Sequence, residues 1–199
     1  MTRALLIVDV QNDFTEGGAL GVFGGADVAR NVTRWLNLAA KRYGTVVASR
    51  DWHNAADDNG GHFASDGDAP DYVSTWPVHC VADTPGAEYH PAFDTARVST
   101  HVRKGQGVPA YSAFEGTTDD GRTLLETLSE AGVTEIDAVG IATDHCVRAS
   151  VLDAVDAGMH VTVLTDLIAG VAAESSEAAL AEMAVHGVTL AKSSEVPTE

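Results

Sequence analysis

The sequence predicts a three-layer α/β/α fold around a central, mainly parallel, six-stranded sheet of Rossmann-like type. Three observations carry that expectation. Short apolar runs alternate with stretches of helical periodicity, the pattern of strands joined by crossover helices. The first run, Ala4-Leu5-Leu6-Ile7-Val8, is apolar at every position, as in a strand covered on both faces. Gly44, Gly132 and Gly158 fall where the periodic stretches should stop.

Residues 4–9 form the first strand and close on a carboxylate, Asp9. From Asp27 to Tyr43, the positions Val28, Val32, Leu36 and Ala39 recur at helical spacing. Thr45 to Ser49 is the second strand and Val98 to Val102 the third. Leu124, Leu125 and Leu128 make a helical stripe, Ile136 to Ile141 a fourth strand, and Val147, Val151 and Val155 the next helix. Val161 to Leu164 is a fifth strand, Leu180, Met183 and Ala184 lie on a last helix, and Val188 to Leu190 closes the sheet. Residues 1–192 are expected to form one domain, with 193–199 a frayed tail. Residues 51–97 show little periodicity, yet they hold Trp52, Phe63, Tyr72, Trp76, Tyr89, Phe93 and four of the eight histidines. A segment so long and so aromatic reads as an ordered active-site loop.

Charge removes several classes of partner. The 199 residues carry 12 Lys and Arg against 29 Asp and Glu, a net charge of -17, so no basic stripe exists to neutralise phosphates or anionic lipid headgroups. Nucleic acid and membrane are therefore not expected as partners, and the acidity itself names no substrate. The apolar runs stop far short of the roughly 20 residues that span a bilayer. No signal-peptide pattern is visible, which makes the cytoplasm the expected location. Both monomer and homo-oligomer stay open. Two cysteines, Cys80 and Cys146, are too few for a disulfide framework.

In a parallel α/β sheet, ligands bind at the carboxyl ends of the strands. That rule selects Asp9, Asp51, Lys104 and the segment after Ile141. Asp51, His53, His62 and His79 offer one carboxylate and three imidazoles, a donor set suited to a divalent Zn, Fe or Mn ion. The same residues read equally well as surface histidines and a turn aspartate. Cys146 falls where the fourth strand turns into a helix, and a thiol in a helix's first turn faces backbone N–H groups that favour thiolate. A lone cysteine also packs as a small apolar side chain. Asp9 and Lys104 could act as general base and charge stabiliser, or form a structural ion pair. No phosphate-binding glycine motif is present, and the glycines at 17–25 and the run Asp57-Asp58-Asn59-Gly60 read as mobile loop segments.

Taken together, the segments Val8-Asp9-Val10-Gln11-Asn12-Asp13-Phe14, Asp51-Trp52-His53, Trp76-Pro77-Val78-His79-Cys80, Lys104-Gly105, Tyr111 to Gly116 and Gly140 to Val147 closely resemble the nicotinamidases (pyrazinamidases) of the isochorismatase-like hydrolase superfamily. The resemblance runs over nearly the whole chain and implies an isochorismatase-like fold. It implies hydrolysis of nicotinamide to nicotinate and ammonia in NAD salvage, with pyrazinamide as a further substrate. Cys146 would be the nucleophile, Asp9 the proton carrier and Lys104 the charge-balancing partner. Backbone amides of Ala142 and Cys146 would form the oxyanion hole, beside a cis bond between Ile141 and Ala142. Asp51, His53, His62 and His79 would hold one divalent metal, and Phe14, Trp76, Tyr111, Ile141 and His145 would bind substrate. The chain departs from the family pattern in a longer Asp/Gly-rich stretch between His53 and His62, and in Ala113 where a glycine is familiar. Alternatives are an amidase of the same superfamily acting on a carbamoyl or ureido substrate, and a non-catalytic metal-binding relative.

Overall fold

The computed structural model describes residues 2–65 and 67–199. In chain order these form β1 (Thr2–Val8), α1 (Gly25–Leu38), β2 (Thr45–Asp51), β3 (Thr100–Lys104), β4 (Thr117–Thr118), α2 (Leu124–Glu130), β5 (Val133–Ile141), α3 (Arg148–Asp156), β6 (His160–Ala169), α4 (Ala173–Val185) and β7 (Thr189–Ala191). The strands make one sheet in the order β4-β3-β2-β1-β5-β6-β7. Every pairing is parallel except that of β4 with β3.

The sheet therefore has seven strands, one more than the sequence predicts. The addition is β4, two residues on the edge beside β3, too short to leave an alternating pattern. Two further expectations are corrected. Residues 193–199 are not simply frayed, because Ser193 donates its N–H and its hydroxyl to Asp166 at 2.7 and 2.6 Å, and Val196 packs against the core. Nor is 57–60 an unanchored loop. Asn59 is fully buried, and its Oδ1 accepts from the N–H groups of Asn54 and Gly107 at 2.8 and 3.1 Å.

Apolar side chains alternate between the two faces of the sheet, as the period of two requires. Leu5, Ile7, Val46, Ala48, Val139 and Ile141 pack with Val28, Val32, Trp35 and Leu36 of α1. Ala4, Leu6, Val8, Val47, Val102 and Ile136 pack with Leu124 and Leu128 of α2 and Val147, Val151 and Ala154 at and within α3. The Thr123–Glu126 capping box starts α2, each side chain accepting from the other residue's backbone N–H. Among the described residues no helix is long and apolar enough to cross a membrane.

The amino end of the sheet is held by charge. Asp137, buried on β5, accepts from Arg3 at 2.5 Å, Arg42 at 2.7 Å and the Tyr43 hydroxyl at 2.8 Å. That leaves the carboxyl ends of β1, β2, β3 and β5 free to converge. Asp51 and Lys104 sit opposite each other as the last residues of β2 and β3. Val8 pairs with Gly140 where β1 meets β5. Gly140 has φ +119°, and a Cβ there would overlap the backbone of Val8. Gly140→Ala is expected to destabilise the fold by roughly 2–6 kcal/mol, the sum of a positive-φ cost and an overpacking cost of about 1–3 kcal/mol each. The denaturant midpoint measures it; an unchanged midpoint would show that β1 and β5 can part there at no cost.

Candidate active site

Four strand ends bring Asp9, Asp51, Lys104 and Cys146 together in one buried cluster. The Lys104 ammonium lies 2.9 Å from Asp9 Oδ2, pairs with Asp51 Oδ1, and points a hydrogen at Cys146 Sγ from 3.6 Å. Donor atoms of Asp9, Asp51 and Cys146 all lie within 4.8 Å of one another. Asp9, which follows β1 with φ +47°, accepts from the Ser49 hydroxyl at 2.7 Å through its other oxygen.

Burial sets the electrostatics of this cluster. It pushes the Asp9 carboxyl up, against the pull of the neighbouring ammonium. Burial also opposes the charge on Lys104, yet Asp51 and Asp9 hold it well above the usual lysine range. For Asp51 burial is outweighed by Lys104 and the two histidines, and its carboxyl is held well below the usual range. The Cys146 thiol is pushed well up by burial, which outweighs Lys104 and is reinforced by Asp9 and Asp51. The sequence leaves two readings of Cys146, a thiol whose ionisation a helix N-terminus favours and a small packed side chain. The structure places Cys146 in a buried π-type turn, Thr143–Val147, ahead of α3 and facing two carboxylates. A resting thiol beside a carboxyl of raised pKa is the consequence, with the stronger base next to the acid it must deprotonate.

His53, His62 and His79 come from the long loop, and all three are buried. Their ligand atoms lie within 4.8 Å of one another. His53 Nδ1 is 2.8 Å from the Gly105 carbonyl and His79 Nδ1 is 2.7 Å from the Pro77 carbonyl. A carbonyl only accepts, so each Nδ1 carries a proton and Nε2 is the atom left to face a metal. Those Nε2 atoms lie 3.6 and 3.7 Å from Asp51 Oδ2. His53 Nε2 and His62 Nδ1 are buried without a hydrogen-bond partner among the described residues. Burial above all drives the His62 pKa down to about 3, so this ring is neutral as a metal ligand must be. Three converging imidazoles and one carboxylate, with two buried ring nitrogens left without a partner among the described residues, fit a divalent ion. Gly105 makes the arrangement possible, since a Cβ there would sit 2.7 Å from His53 Nδ1.

Above the cluster opens a cavity of about 280 Å³. Phe14, Trp76, Tyr111, Ala142, His145 and Cys146 line it, with Asp51, His62 and His79. Trp76 Nε1 donates to the Tyr111 hydroxyl at 2.9 Å, and the His145 ring stands edge-on to Trp76 with centroids 5.0 Å apart. Ile141 is not at the cavity wall. Its side chain is fully buried among the α1-side core, because residue 141 points to the face opposite the thiol, although its peptide bond to Ala142 is cis. Leu20, Val22, Tyr72 and Val171 also line the cavity. Nothing in their local sequence marked them, since chain segments far apart bring them there. Cys80 is fully buried and lies outside the lining.

Asp144 locks the thiol-bearing turn to the start of the neighbouring helix α4 in the same layer. Its carboxylate accepts from the N–H groups of Val171 and Ala172 at 3.0 and 3.2 Å and from the Ser175 hydroxyl at 2.5 Å, at the start of α4. A carboxylate is well placed at a helix N-terminus, and those bonds hold its pKa low against burial. Ala113, the residue standing where a glycine is familiar, is fully buried and donates its N–H to the Ser150 hydroxyl at 2.8 Å.

A doubly covered, mostly parallel sheet with a buried Asp–Lys–Cys cluster at its carboxyl edge defines the site of a hydrolase with a cysteine nucleophile candidate, and residues 3–195 match the isochorismatase domain model. The chain belongs to the isochorismatase domain family. It is 51% identical over 192 residues to the nicotinamidase/pyrazinamidase of Mycobacterium tuberculosis, covering 96% of this chain and 100% of that one. The structure of Pyrococcus horikoshii pyrazinamidase in complex with zinc is similar at a TM-score of 0.81 and 36% identity, covering 96% of this chain and 99% of that one. That of PnC1 from L. infantum in complex with nicotinate is similar at 0.83 and 33%, covering 97% and 93%.

Proposed function

We propose that this enzyme is a metal-dependent cysteine amidohydrolase that converts nicotinamide to nicotinate and ammonia, with pyrazinamide as a second substrate. The observation that carries the reading is the double role of Asp51. One of its oxygens pairs with Lys104 of the thiol cluster, and the other faces the Nε2 atoms of His53 and His79. Cys146 and the ligand candidates Asp51, His62 and His79 line the same cavity, so a flat heteroaromatic amide can be held at its ring and attacked at its carboxamide.

In this reading Cys146 Sγ attacks the carboxamide carbon while its proton passes to Asp9. Backbone N–H groups of Ala142 and Cys146 hold the oxygen as negative charge develops on it. Asp9 returns the proton to the amine nitrogen, the C–N bond breaks, and ammonia leaves a thioester on Sγ. Water adds to the thioester as Asp9 takes one of its protons, the C–S bond breaks as Asp9 returns that proton to sulfur, and the acid departs, losing its remaining proton to solvent as nicotinate. Lys104 stays protonated throughout and offsets the charge of whichever carboxylate or sulfur is ionised. Phe14, Trp76, Tyr111 and His145 flank the ring. Asp51, His53, His62 and His79 would hold one divalent ion, zinc by analogy with the P. horikoshii complex. When bound, the ion supplies an electrophilic anchor for a pyridine nitrogen. We place this chemistry in the cytoplasm, in one domain over residues 1–192.

The three-histidine cluster also separates this reading from an amidase for acyclic carbamoyl substrates, which has no ring nitrogen to anchor. The test is ammonia release by metal-loaded protein from nicotinamide and from an acyclic carbamoyl amide, with a chelated aliquot of each. Fast release from nicotinamide alone, lost on chelation, is expected. Preference for the acyclic amide, indifferent to chelation, would overturn the assignment. His53→Ala removes a ligand whose second nitrogen is fixed by Gly105, and bound metal per chain is expected to fall by more than about tenfold at limiting metal. Elemental analysis after dialysis reads it, and wild-type occupancy would remove His53 from the centre.

A further inference from the structure

We propose that Gln11 and Asp13 are positioning residues of the metal centre: together they bracket the two chain segments that carry Asp51 and His79. The inference rests on the metal-site reading above. It concerns residues that line no part of the cavity and have no role in the chemistry so far described.

Gln11 is fully buried. Its Nε2 donates to the carbonyls of Asp51 at 2.9 Å and Ala87 at 2.8 Å, and its Oε1 accepts the Asp51 N–H at 2.8 Å. One primary amide thus satisfies both main-chain groups of a single residue, as a neighbouring strand would. The reason lies in the path of the chain. The pairing of β1 with β2 ends at Ile7 and Ala48, and the backbone turns away at Asp9 with φ +47°. Without the Gln11 side chain, the inner edge of β2 would lose its partner at the residue that supplies the ligand. The outer edge is already held by β3, where Asp51 pairs with Lys104 and Trp52 N–H donates to the Lys104 carbonyl at 2.8 Å. With both edges fixed, the Asp51 backbone cannot shift, and only side-chain torsions remain to aim its two oxygens.

Asp13 acts on the other segment. Its Oδ2 accepts the Cys80 N–H at 2.7 Å, one residue after His79. The Cys80 carbonyl in turn accepts the His53 N–H at 3.0 Å. A single residue, Cys80, thereby connects Asp13 with two ligand-bearing positions. Gly86 keeps the space open, because a Cβ there would meet the Asp13 carboxylate carbon at 2.6 Å. Between the two, Asn12 donates its side-chain amide to Pro85 O at 2.7 Å and its N–H to Glu88 O at 3.0 Å. A tripeptide outside the cavity therefore fixes the long loop at both ends of its ligand set. Groups of this outer kind typically govern metal affinity by about 10–100-fold.

The experiment compares folded Gln11→Met, Asp13→Ala and Asp13→Asn with the wild type in two measurements. In metal-free protein, amide hydrogen exchange is expected to quicken at Asp51 in Gln11→Met and at Cys80 in Asp13→Ala. In chelator competition, zinc affinity is expected to fall about 10–100-fold in both, with Asp13→Asn recovering most of it because its Oδ still accepts. Lowered thermal stability with unchanged zinc affinity and unchanged exchange at these two amides would overturn the proposal. Should Gln11→Met not fold, the Asp13 pair decides it. A wild type that binds no zinc would refute the metal reading instead, and the exchange measurement would still decide whether the bracket fixes the two segments.

Discussion

Cys146→Ala is expected to reduce nicotinamide turnover by about 10⁶-fold, the order of loss when a covalent nucleophile is removed. The fold should survive, because the side chain is small and its neighbours Val147 and Val151 are held by the α2–α3 side of the core. Metal content should also survive, since the thiol is not one of the three imidazoles that converge. Neighbouring groups cannot substitute. Lys104 carries its proton firmly between two carboxylates, and Asp9 is a proton carrier whose attack would give an unstable anhydride. The steady-state rate of ammonia release measures the loss, with circular dichroism and elemental analysis as controls. Turnover within tenfold of wild type would remove Cys146 from the nucleophile's role.

The second large effect is expected from Asp9→Asn, which keeps the size of the side chain and its bond to Ser49 but removes the proton acceptor. General acid–base catalysis contributes about 10²–10⁴-fold, so kcat should fall by that amount. Substrate affinity should change little, because Asp9 is beneath the cavity and does not line it. Lys104 keeps Asp51 as a counter-charge, so the protein is expected to fold. Equal losses in kcat and kcat/KM, with unchanged binding of nicotinate as product, mark a group that acts only in the transition state. A variant that loses affinity but keeps kcat would assign Asp9 to binding.

Much of this architecture was legible because it is written in local patterns. The fully apolar run at 4–8 placed the central strand, and the helical stripes at 28–39 and 147–155 placed two of the covering helices. The carboxyl-edge rule then selected Asp9, Asp51, Lys104 and the Cys146 turn from position alone, and the structure brings their side chains into contact. What escaped was set by distant segments. The edge strand Thr117–Thr118 exists because β3 offers it a partner, and two residues carry no period. Ile141 adjoins the oxyanion segment in sequence, yet strand alternation sends its side chain into the opposite core face. The thiol's raised pKa follows from burial, reinforced by two carboxylates that arrive from β1 and β2, against the helix-end effect visible in sequence. The service of Gln11 to Asp51 links positions 40 residues apart, and no spacing rule reports it.

The thioester on Cys146 is tested most directly by letting metal-loaded wild-type protein turn over nicotinamide in the presence of hydroxylamine. An acyl group carried on Sγ is open to a second nucleophile. Nicotinohydroxamate is therefore expected to form at the expense of nicotinate, the two together matching the ammonia released. Nicotinate as the sole product at every hydroxylamine concentration, or hydroxamate formation that persists in Cys146→Ala, would contradict a covalent intermediate at this residue.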